Sequence, residues 1–160
     1  MQNNMLIVGP SGMKSESTRR VFFTGSAAVK TGQPVGFDYS KNYDQNTGKA
    51  LVSGGPALGN CVKTLEAGDE FAGVASRDYD ANENGQWIDV HLPGSVCKVI
   101  AGVAVTAVKT SLVCSSSGKF VANSSSAPAH GAGSVIALHK CGSGQLVTAK
   151  LEEGASITVA

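Results

Sequence analysis

The stretch Val96–Ala122 limits the fold of this chain more than any other part of the sequence. It is rich in Val and Ala, and it is interrupted by Gly102 and by the turn cluster Ser115–Gly118. Apolar runs this short, bounded by turn residues, are typical of strands rather than helices. The pattern predicts four short strands, near Cys97–Ile100, Val103–Val108, Leu112–Cys114 and Lys119–Ala122.

A short internal echo runs through this stretch. Ala107–Thr110 repeats the Ala-Val-Lys-Thr sequence of Ala28–Thr31. Each copy leads on to a Gly-Lys-apolar-apolar step, at Gly48–Leu51 and at Gly118–Val121. The echo predicts two related strand–turn–strand units in a single barrel, with Tyr39–Thr47 as an additional polar loop in the first unit.

The rest of the chain also indicates short strands and frequent turns. Asn84-Gly85 is a strong hairpin signal, and Gln86–Leu92 after it alternates between two faces. Charged residues are only 16% of the chain, and 20 of its 160 residues are Gly, so both depart from the ~25% and ~7% of an average domain. These features predict an all-β sandwich or small barrel with little or no helix.

The length of 160 residues fits one domain, which at this size buries roughly two-thirds of its unfolded surface. Residues 1–19 are polar around one small apolar island, so we interpret them as an extended N-terminal arm. The prediction is therefore an arm over residues 1–19 and a single β domain over residues 20–160.

Charge gives little indication of a partner. The net charge of +1 implies no nucleic-acid or membrane partner, and the longest uncharged apolar run, Val99–Val108, is too short to span a bilayer. The distribution is uneven, because no Asp or Glu lies between Asp89 and Glu152 while five lysines do. Spaced lysines can protect strand edges, or they can form a face that meets an acidic protein surface.

The cysteines carry no metal or redox motif. No pair has C-x-x-C spacing, and each cysteine lies in or beside an apolar strand. We expect buried free thiols in a protein made in the cytosol, although a Cys97–Cys114 bridge stays open because sequence does not set connectivity. The four residues are Cys61, Cys97, Cys114 and Cys141.

Two segments imitate known ligand sites. Leu6–Ser15 resembles a phosphate-binding loop, but Gly9 and Lys14 are one residue too close and Met13 replaces the second glycine. Asp78–Asp89 places oxygen ligands at alternate positions, as calcium loops do, but Glu83 stands where the sharp turn needs Gly. We interpret the second segment as an Asx-rich hairpin loop, with a bound cation as the alternative.

No catalytic constellation is evident. His91, His130 and His139 lack metal-ligand spacing, and no G-x-S-x-G motif occurs. Glu152-Glu153 is interpreted as a solvated turn. The sequence therefore predicts no enzyme, no catalytic residue, no cofactor and no metal site.

Trp87 is the single tryptophan, and two interpretations of it stay open. It shares one face of Gln86–Leu92 with Asp89 and His91, while Ile88, Val90 and Leu92 share the other. It is either a core residue or a half-exposed interface anchor.

The order of motifs along residues 20–152 resembles the small head decoration, or cement, proteins of tailed bacteriophages. The motifs are short runs of Gly, Val and Ala in strands, so the likeness is one of pattern. They are AVKTGQPVGFD, the step at Gly48–Leu51, AGDEFAGVAS, VIAGVAVTAV, SSSGKFV, SVIALHKC and QLVTAKL.

The resemblance implies a compact β-barrel or β-tulip-like domain on the outer capsid surface of the virion. It implies the major capsid protein as partner and a homotrimer, with no catalytic residues. It also implies an arm that reaches onto the capsid, for which Met1–Arg20 is the matching segment. We expect capsid or partner contacts at Met5, Leu6, Ile7, Arg19, Arg20, Tyr39, Tyr43 and Trp87.

Two other classes of function stay open. One is a different β-rich virion component, such as a tail tube, a fibre or a head-fibre base. The other is a small β-barrel that binds carbohydrate or another ligand, or an enzyme. A ligand binder should bring aromatic side chains together, and Trp87, Tyr39, Tyr43 and Tyr79 are the candidates.

Overall fold

The computed structural model describes residues 17–44, 49–52, 61–123, 128–157 and 159. These residues form twelve β-strands and no helix, so the prediction of an all-β barrel fold is confirmed. The strands are β1 (Thr18–Phe23), β2 (Pro34–Phe37), β3 (Lys41–Asp44), β4 (Lys49–Val52), β5 (Cys61–Thr64), β6 (Phe71–Ala75), β7 (Gln86–His91), β8 (Val96–Ile100), β9 (Ser111–Cys114), β10 (Phe120–Ala122), β11 (Ser134–Ala137) and β12 (Leu146–Leu151).

Five strands close into a barrel in the order β1-β5-β2-β6-β7, and β7 returns to β1. β1 and β5 are parallel, whereas the other barrel pairs are antiparallel. The predicted alternation of β7 is found from Trp87 to Val90, since Ile88 and Val90 are fully buried and Trp87 on the other face is exposed. His91, predicted to share the Trp87 face, is only 7% exposed, so the alternation of burial ends there. The barrel interior is a small apolar cluster that includes Val21, Phe23 and Val62.

A second sheet of five strands, in the order β10-β9-β11-β12-β8, forms a half-barrel. Its two edges meet at one isolated parallel bridge, between Ala101 and Phe120. Its core cluster also contains Phe71 and Val74 of β6, and the rings of Phe71 and Phe120 lie 6.5 Å apart at 75°. The second core therefore depends on the barrel, because barrel residues supply part of its packing.

The barrel and the half-barrel are two copies of one strand arrangement, here termed the first repeat (residues 17–92) and the second repeat (residues 95–151). β1, β2, β5, β6 and β7 correspond to β8, β9, β10, β11 and β12. One residue alignment reproduces the strand register of both copies. The matching pairs are Val21–Ile88 with Val99–Val147, Ala75–Val90 with Ala137–Ala149, Val35–Gly73 with Leu112–Val135, Phe37–Val62 with Cys114–Phe120, and Phe23–Val62 with Ala101–Phe120.

Each repeat also has the same β-bulge, in which two successive residues face one residue of the neighbouring strand. The facing residue accepts a hydrogen bond from the first bulge amide and donates one to the second bulge carbonyl. These residues are Gly32, Gln33 and Ala75 in the first repeat, and Lys109, Thr110 and Ala137 in the second, with N···O distances of 2.8 to 2.9 Å.

The bulge requires a left-handed backbone at its first residue, a conformation that favours Gly. Gly32 has a φ of 80°, and Lys109 has a φ of 62°. Lys109 is the one non-glycine residue with positive φ in the described part of the chain. The second repeat therefore keeps the bulge but lacks the residue type that suits it.

The sequence echo and the structural repeat do not coincide. The bulge alignment places Lys109 opposite Gly32, so Ala107–Thr110 matches Lys30–Gln33 rather than Ala28–Thr31. The predicted strand over Val103–Val108 is wrong, because Val105 alone forms a bridge there and a turn follows it. The duplicated unit has five strands, and a ribbon formed by β3 and β4 is inserted between β2 and β5 of the first repeat.

Candidate functional site

The outer face of β1 and β7 holds two of the predicted contact residues. The strand register places Arg20 opposite Asp89 and Phe22 opposite Trp87. Arg20 Nε lies 3.3 Å from Asp89 Oδ1 at the surface, where such a pair contributes roughly 0–1 kcal/mol. The pair orients two charged groups more than it stabilises the fold.

Trp87 is a partly exposed side chain rather than a core residue. Its relative exposure is 37%, and its ring meets the buried Phe22 ring edge-on, with centroids 5.4 Å apart and planes at 82°. Edge-to-face contact fixes the indole orientation while leaving one side open to solvent. Of the two interpretations of Trp87, the structure therefore supports the half-exposed face.

Tyr39 and Tyr43 lie elsewhere. Tyr39 is 54% exposed, stacks on Phe37 with centroids 5.7 Å apart, and donates a 2.5 Å hydrogen bond to Glu70, which raises the pKa of the phenol. Tyr43 belongs to β3, opposite Ala50 of β4. β6 is antiparallel to both β2 and β7, so Tyr39 after β2 and Trp87 at the start of β7 lie at opposite ends of the barrel.

The aromatic cluster expected of a ligand-binding barrel is not formed by the described side chains. Tyr79, which follows β6, is 8% exposed, and its hydroxyl accepts a 2.7 Å hydrogen bond from the Asp89 amide. Arg77 covers its ring, with the guanidinium carbon 5.0 Å from the centroid. Tyr79 is therefore part of the packing beneath the surface, and it does not join Trp87 and Tyr39.

The five predicted contacts in the N-terminal segment Met1–Arg20 divide between strand β1 and the undescribed residues. Met5, Leu6 and Ile7 lie outside the described residues. Arg19 lies in β1 opposite Val90, and its side chain is exposed. Because β1 begins at Thr18, Arg19 and Arg20 are strand residues, not arm residues.

Asp38 organises the start of the long first-repeat insertion. It is 8% exposed, and it accepts hydrogen bonds from the hydroxyls of Thr24 and Ser40, both at 2.6 Å, and from the Ser40 amide at 3.1 Å. Burial alone would raise the pKa of Asp38, but these hydrogen bonds outweigh it and lower the pKa below its usual value. The ionised carboxylate thus fixes the chain where it leaves β2.

In the Asp78–Asp89 segment, side-chain oxygens of Asp78 and Asn82 accept hydrogen bonds from the protein itself. Asp78 accepts bonds from the Thr31 amide (2.7 Å) and hydroxyl (2.8 Å), which lower its pKa, and lies 3.8 Å from Lys30 Nζ. Asn82 accepts from the Asn84 amide at 3.0 Å, as in an Asx turn. Within the described ranges, no group of three His, Cys, Asp or Glu side chains could hold a metal ion.

A polar cluster that sequence patterns do not indicate surrounds Glu152, for which the sequence predicts a solvated turn. The fully buried Ser134 hydroxyl donates to Glu152, whose Oε2 also lies 3.1 Å from His130 Nδ1. The carboxylate is thus between serine and histidine, whereas in a catalytic triad the histidine is central. The Ser134 hydroxyl oxygen also accepts a 3.0 Å hydrogen bond from the Gly131 amide, so the cluster closes a turn. Ser134 of β11 and Glu152, which follows β12, are distant in sequence, and the fold brings them together.

Cys114 and Cys141 are free thiols, so the Cys97–Cys114 disulfide is not formed. Cys61, Cys97 and Cys114 are buried, and Cys141 is partly buried. Burial raises the pKa of the Cys114 thiol to about 11, which keeps it protonated and unreactive near neutral pH.

In the described part of the chain, no helix has the length and hydrophobicity needed to cross a bilayer.

Comparison with known proteins reveals a likeness of fold. No protein-family model matches the chain, and no curated protein matches it. Among solved structures, the chain is similar to the head fiber gp8.5 N base in bacteriophage phi29, with a TM-score of 0.52 and 16% sequence identity. The match covers 85% of this chain and 95% of that chain. At this identity the likeness establishes a shared fold: the chain has the β architecture of a phage head-fibre base.

Proposed function

We propose that this chain is a structural protein of a tailed-bacteriophage virion that binds the outer capsid surface and stabilises the shell. The observation that carries the proposal is the fold likeness to a phage head-fibre base, which extends over 85% of this chain. The motif order that resembles head decoration proteins points to the same class independently. In this proposal the chain is not an enzyme, and it acts as a homotrimer with the major capsid protein as partner.

The surface chemistry of the described residues suits such a role. Trp87 is held by Phe22 and Arg20 by Asp89, so an anchor and a charge are preorganised for contact. Preorganised aromatic and arginine side chains lose little entropy on binding, which makes them effective interface residues. At the other end of the barrel, Tyr39 offers a second exposed aromatic surface.

The N-terminal segment supplies the proposed capsid contact. Met5, Leu6 and Ile7 form the small apolar island in a polar segment. Ordering such a segment on a surface costs entropy, but many copies around one shell multiply a modest contact. We therefore assign capsid contacts to residues 1–16 and to Tyr39.

The test is to mix purified protein with capsids assembled without it and to image them by electron cryomicroscopy. We expect added density on the shell for the full chain, and weaker occupancy for a chain that lacks residues 1–16. The deletion stops before Ser17, because the Ser17 carbonyl accepts hydrogen bonds from Leu92 and Ser95. Tyr39→Ala should also lower occupancy, and exposed Glu83→Ala is the matched control. Absence of density on the shell with the full chain would refute the proposal.

A head-fibre base is the second candidate, because the phi29 protein of similar fold is one. The effect of the protein on shell stability distinguishes a cement protein from a head-fibre base. A cement protein should raise the temperature at which DNA-filled capsids rupture, whereas a fibre base should bind and leave that temperature unchanged. Binding without stabilisation would therefore replace the cement function with the head-fibre function.

A further inference from the structure

The last strand of each repeat has one backbone amide that donates to a side chain. The repeat alignment matches these residues, Asp89 of β7 and Thr148 of β12. The carbonyl of each accepts a hydrogen bond from the facing strand, from the Ser76 amide at 3.0 Å and from the Leu138 amide at 2.9 Å. In a regular antiparallel ladder the amide would return a bond to the same facing residue. In both repeats a side chain takes the place of that second bond.

The side chains that cap the two equivalent amides differ in chemistry. The Asp89 amide donates a 2.7 Å hydrogen bond to the Tyr79 hydroxyl, and the Thr148 amide donates a 2.9 Å hydrogen bond to His139 Nε2. Tyr79 follows β6 and His139 follows β11, which are equivalent strands. A neutral hydroxyl goes on accepting hydrogen bonds through the pH range in which an imidazole becomes protonated. The cap of the second repeat is therefore titratable, whereas that of the first is not.

The two contacts of the His139 ring fix its protonation state. A backbone amide only donates, so Nε2 is unprotonated where it meets the Thr148 amide. Nδ1 lies 3.0 Å from the Lys140 carbonyl oxygen, which only accepts, so Nδ1 carries the proton. The neutral Nδ1–H tautomer satisfies both contacts. A doubly protonated ring would direct a donor at the Thr148 donor and lose that bond.

The charged residues around His139 in the second repeat are lysines. They are Lys140 next to it in the chain, Lys98 opposite Thr148 on β8, Lys150 two residues beyond Thr148 on β12, and Lys109 in the turn bonded to Ala137. These lysines are exposed. Neighbouring cations disfavour a further positive charge, so they add to the cost of protonating the ring.

The carboxylates of segments that adjoin β12 have partners of their own. They are Glu152 after β12, bonded to Ser134 and His130, and Asp78, bonded to Thr31 beside the Gly32 turn that contacts Leu146. None of the ion pairs among the described residues includes His139. No carboxylate of the described chain is thus placed to stabilise a protonated His139.

The connection that begins at His139 also holds the place where the edges of the half-barrel meet. The Gly144 amide donates a 2.6 Å hydrogen bond to the Ala101 carbonyl, and the Ala101 amide donates a 2.9 Å hydrogen bond to the Gln145 carbonyl. Ala101 forms the bridge with Phe120 that joins the two edges. The bond from Thr148 to His139 therefore fixes one end of a connection whose other end secures this bridge.

We infer that His139 is a pH-sensitive clasp of the second repeat. At neutral pH its uncharged ring fastens the β11–β12 connection to Thr148. Protonation breaks this bond and releases the connection, so its stabilisation is present when the ring is neutral and is lost as the pH falls. The first repeat keeps the Tyr79 cap through the same change. The clasp goes beyond the proposed function and operates within one chain, so its test is independent of capsid binding.

The experiment is nuclear magnetic resonance of the full, ¹⁵N-labelled chain over a pH series. At about pH 8 the imidazole nitrogens of His139 should show the Nδ1–H tautomer. Between about pH 7.5 and about pH 5, protection of the Thr148 amide against hydrogen exchange should fall about tenfold, after correction for the intrinsic rate. The Asp89 amide is the internal control, because Tyr79 caps it, and it should keep its protection.

Two variants identify the group responsible. His139→Gln retains an uncharged acceptor, so the Thr148 amide should stay protected throughout the series. His130→Gln is the matched control, since it removes another exposed histidine and should leave the response of the wild type intact.

Three results would overturn the inference. The first is an Nε2–H tautomer at His139 near pH 8, and the second is an equal response of the Thr148 and Asp89 amides to pH. The third is a fall in Thr148 protection that is as large in His139→Gln as in the wild type, because the response would then arise from another group.

Discussion

The two repeats have one strand order and one register, but only the first closes into a barrel. Closure in the first repeat depends on the parallel pairing of β1 with β5, which includes Phe23 opposite Val62. The second repeat keeps one bridge at the same place, Ala101 opposite Phe120. At this seam, where the sheet closes, the large residue lies on β1 in the barrel (Phe23) and on β10 in the half-barrel (Phe120). Its partner is Val62 in the barrel but the smaller Ala101 in the half-barrel.

The two repeats also differ in which residues fill their cores. The barrel interior is filled by its own strands, whereas Phe120 of the half-barrel packs on Phe71 of β6. The second repeat therefore completes its core with residues of the first. The comparison teaches that one arrangement of strands can form either a self-contained barrel or a half-barrel whose core is completed by another sheet.

The largest expected effect concerns this seam. Phe120 is fully buried, and Phe120→Ala should lower the free energy of unfolding by about 4 kcal/mol. The equivalent change in the barrel, Val62→Ala, removes fewer buried atoms and should cost roughly 2 kcal/mol. Urea denaturation followed by tryptophan fluorescence measures both. Equal losses would show that the seam is packed alike in the two repeats.

The two repeats also meet at Gly32, whose carbonyl accepts a 3.0 Å hydrogen bond from the Ile100 amide, and this contact should be nearly as sensitive. Gly32→Ala places a Cβ 2.9 Å from the Ile100 amide nitrogen, in a backbone with a φ of 80°. Strain and overpacking together should cost about 3 kcal/mol. Gly144→Ala is the control, because it has a φ of 79° but no atom within 4 Å of the added Cβ. If the two variants lose the same stability, the contact between repeats adds nothing beyond backbone strain.

A smaller effect is the pH dependence of stability, which should arise at this position in the first repeat and not in the second. Asp38 corresponds to Ser115, so the first repeat alone has a titratable group at this position. The lowered pKa of Asp38 means that its stabilisation is complete above its unfolded pKa near 3.8 and is lost as the pH falls through the lower folded value. Asp38→Asn should cost about 1 kcal/mol at neutral pH and reduce the loss of stability on acidification. Exposed Asp80→Asn, the control, should leave the acid transition of the wild type intact.

The smallest effect is a gain. Lys109→Gly should stabilise the chain by about 0.5 kcal/mol, because relief of the left-handed strain exceeds the extra entropy of an unfolded glycine. The amide of residue 109 keeps its bond to Ala137 in the variant. An upward shift of the urea midpoint, followed by the fluorescence of Trp87, confirms the gain. A downward shift would mean that the Lys109 side chain stabilises the turn more than its backbone strain costs.

Local patterns in the sequence were enough to predict the all-β class. Alternation in Gln86–Leu92 placed Ile88 and Val90 inside, because side chains of a strand point to opposite faces in turn. The same pattern put Trp87 and Asp89 on one outer face, although it did not decide whether that face was covered. Exposure depends on which elements pack there, and only the tertiary structure determines that.

The repeat was indicated by the sequence but in the wrong place. Few equivalent positions keep the same residue, among them Val21 with Val99, Gln86 with Gln145, and Leu92 with Leu151. The Ala-Val-Lys-Thr echo is not among them: Val29 forms a bridge with Tyr79, while Val108 is at the tip of a turn. An apolar run alone does not distinguish a strand from a turn whose conformation is fixed by hydrogen bonds to a residue distant in sequence.

The stretch Val96–Ala122 contains features that its own sequence determines and features that only the tertiary structure determines. Its own residues determined the strands β8, β9 and β10, since short apolar runs between glycine and serine turns leave no length for a helix. The conformation of Lys109 was decided by Ala137, which holds the bulge from another strand. Closure, register and the contact of Gly32 with Ile100 depend on residues far apart in sequence, and their energies are set only when the sheets have formed.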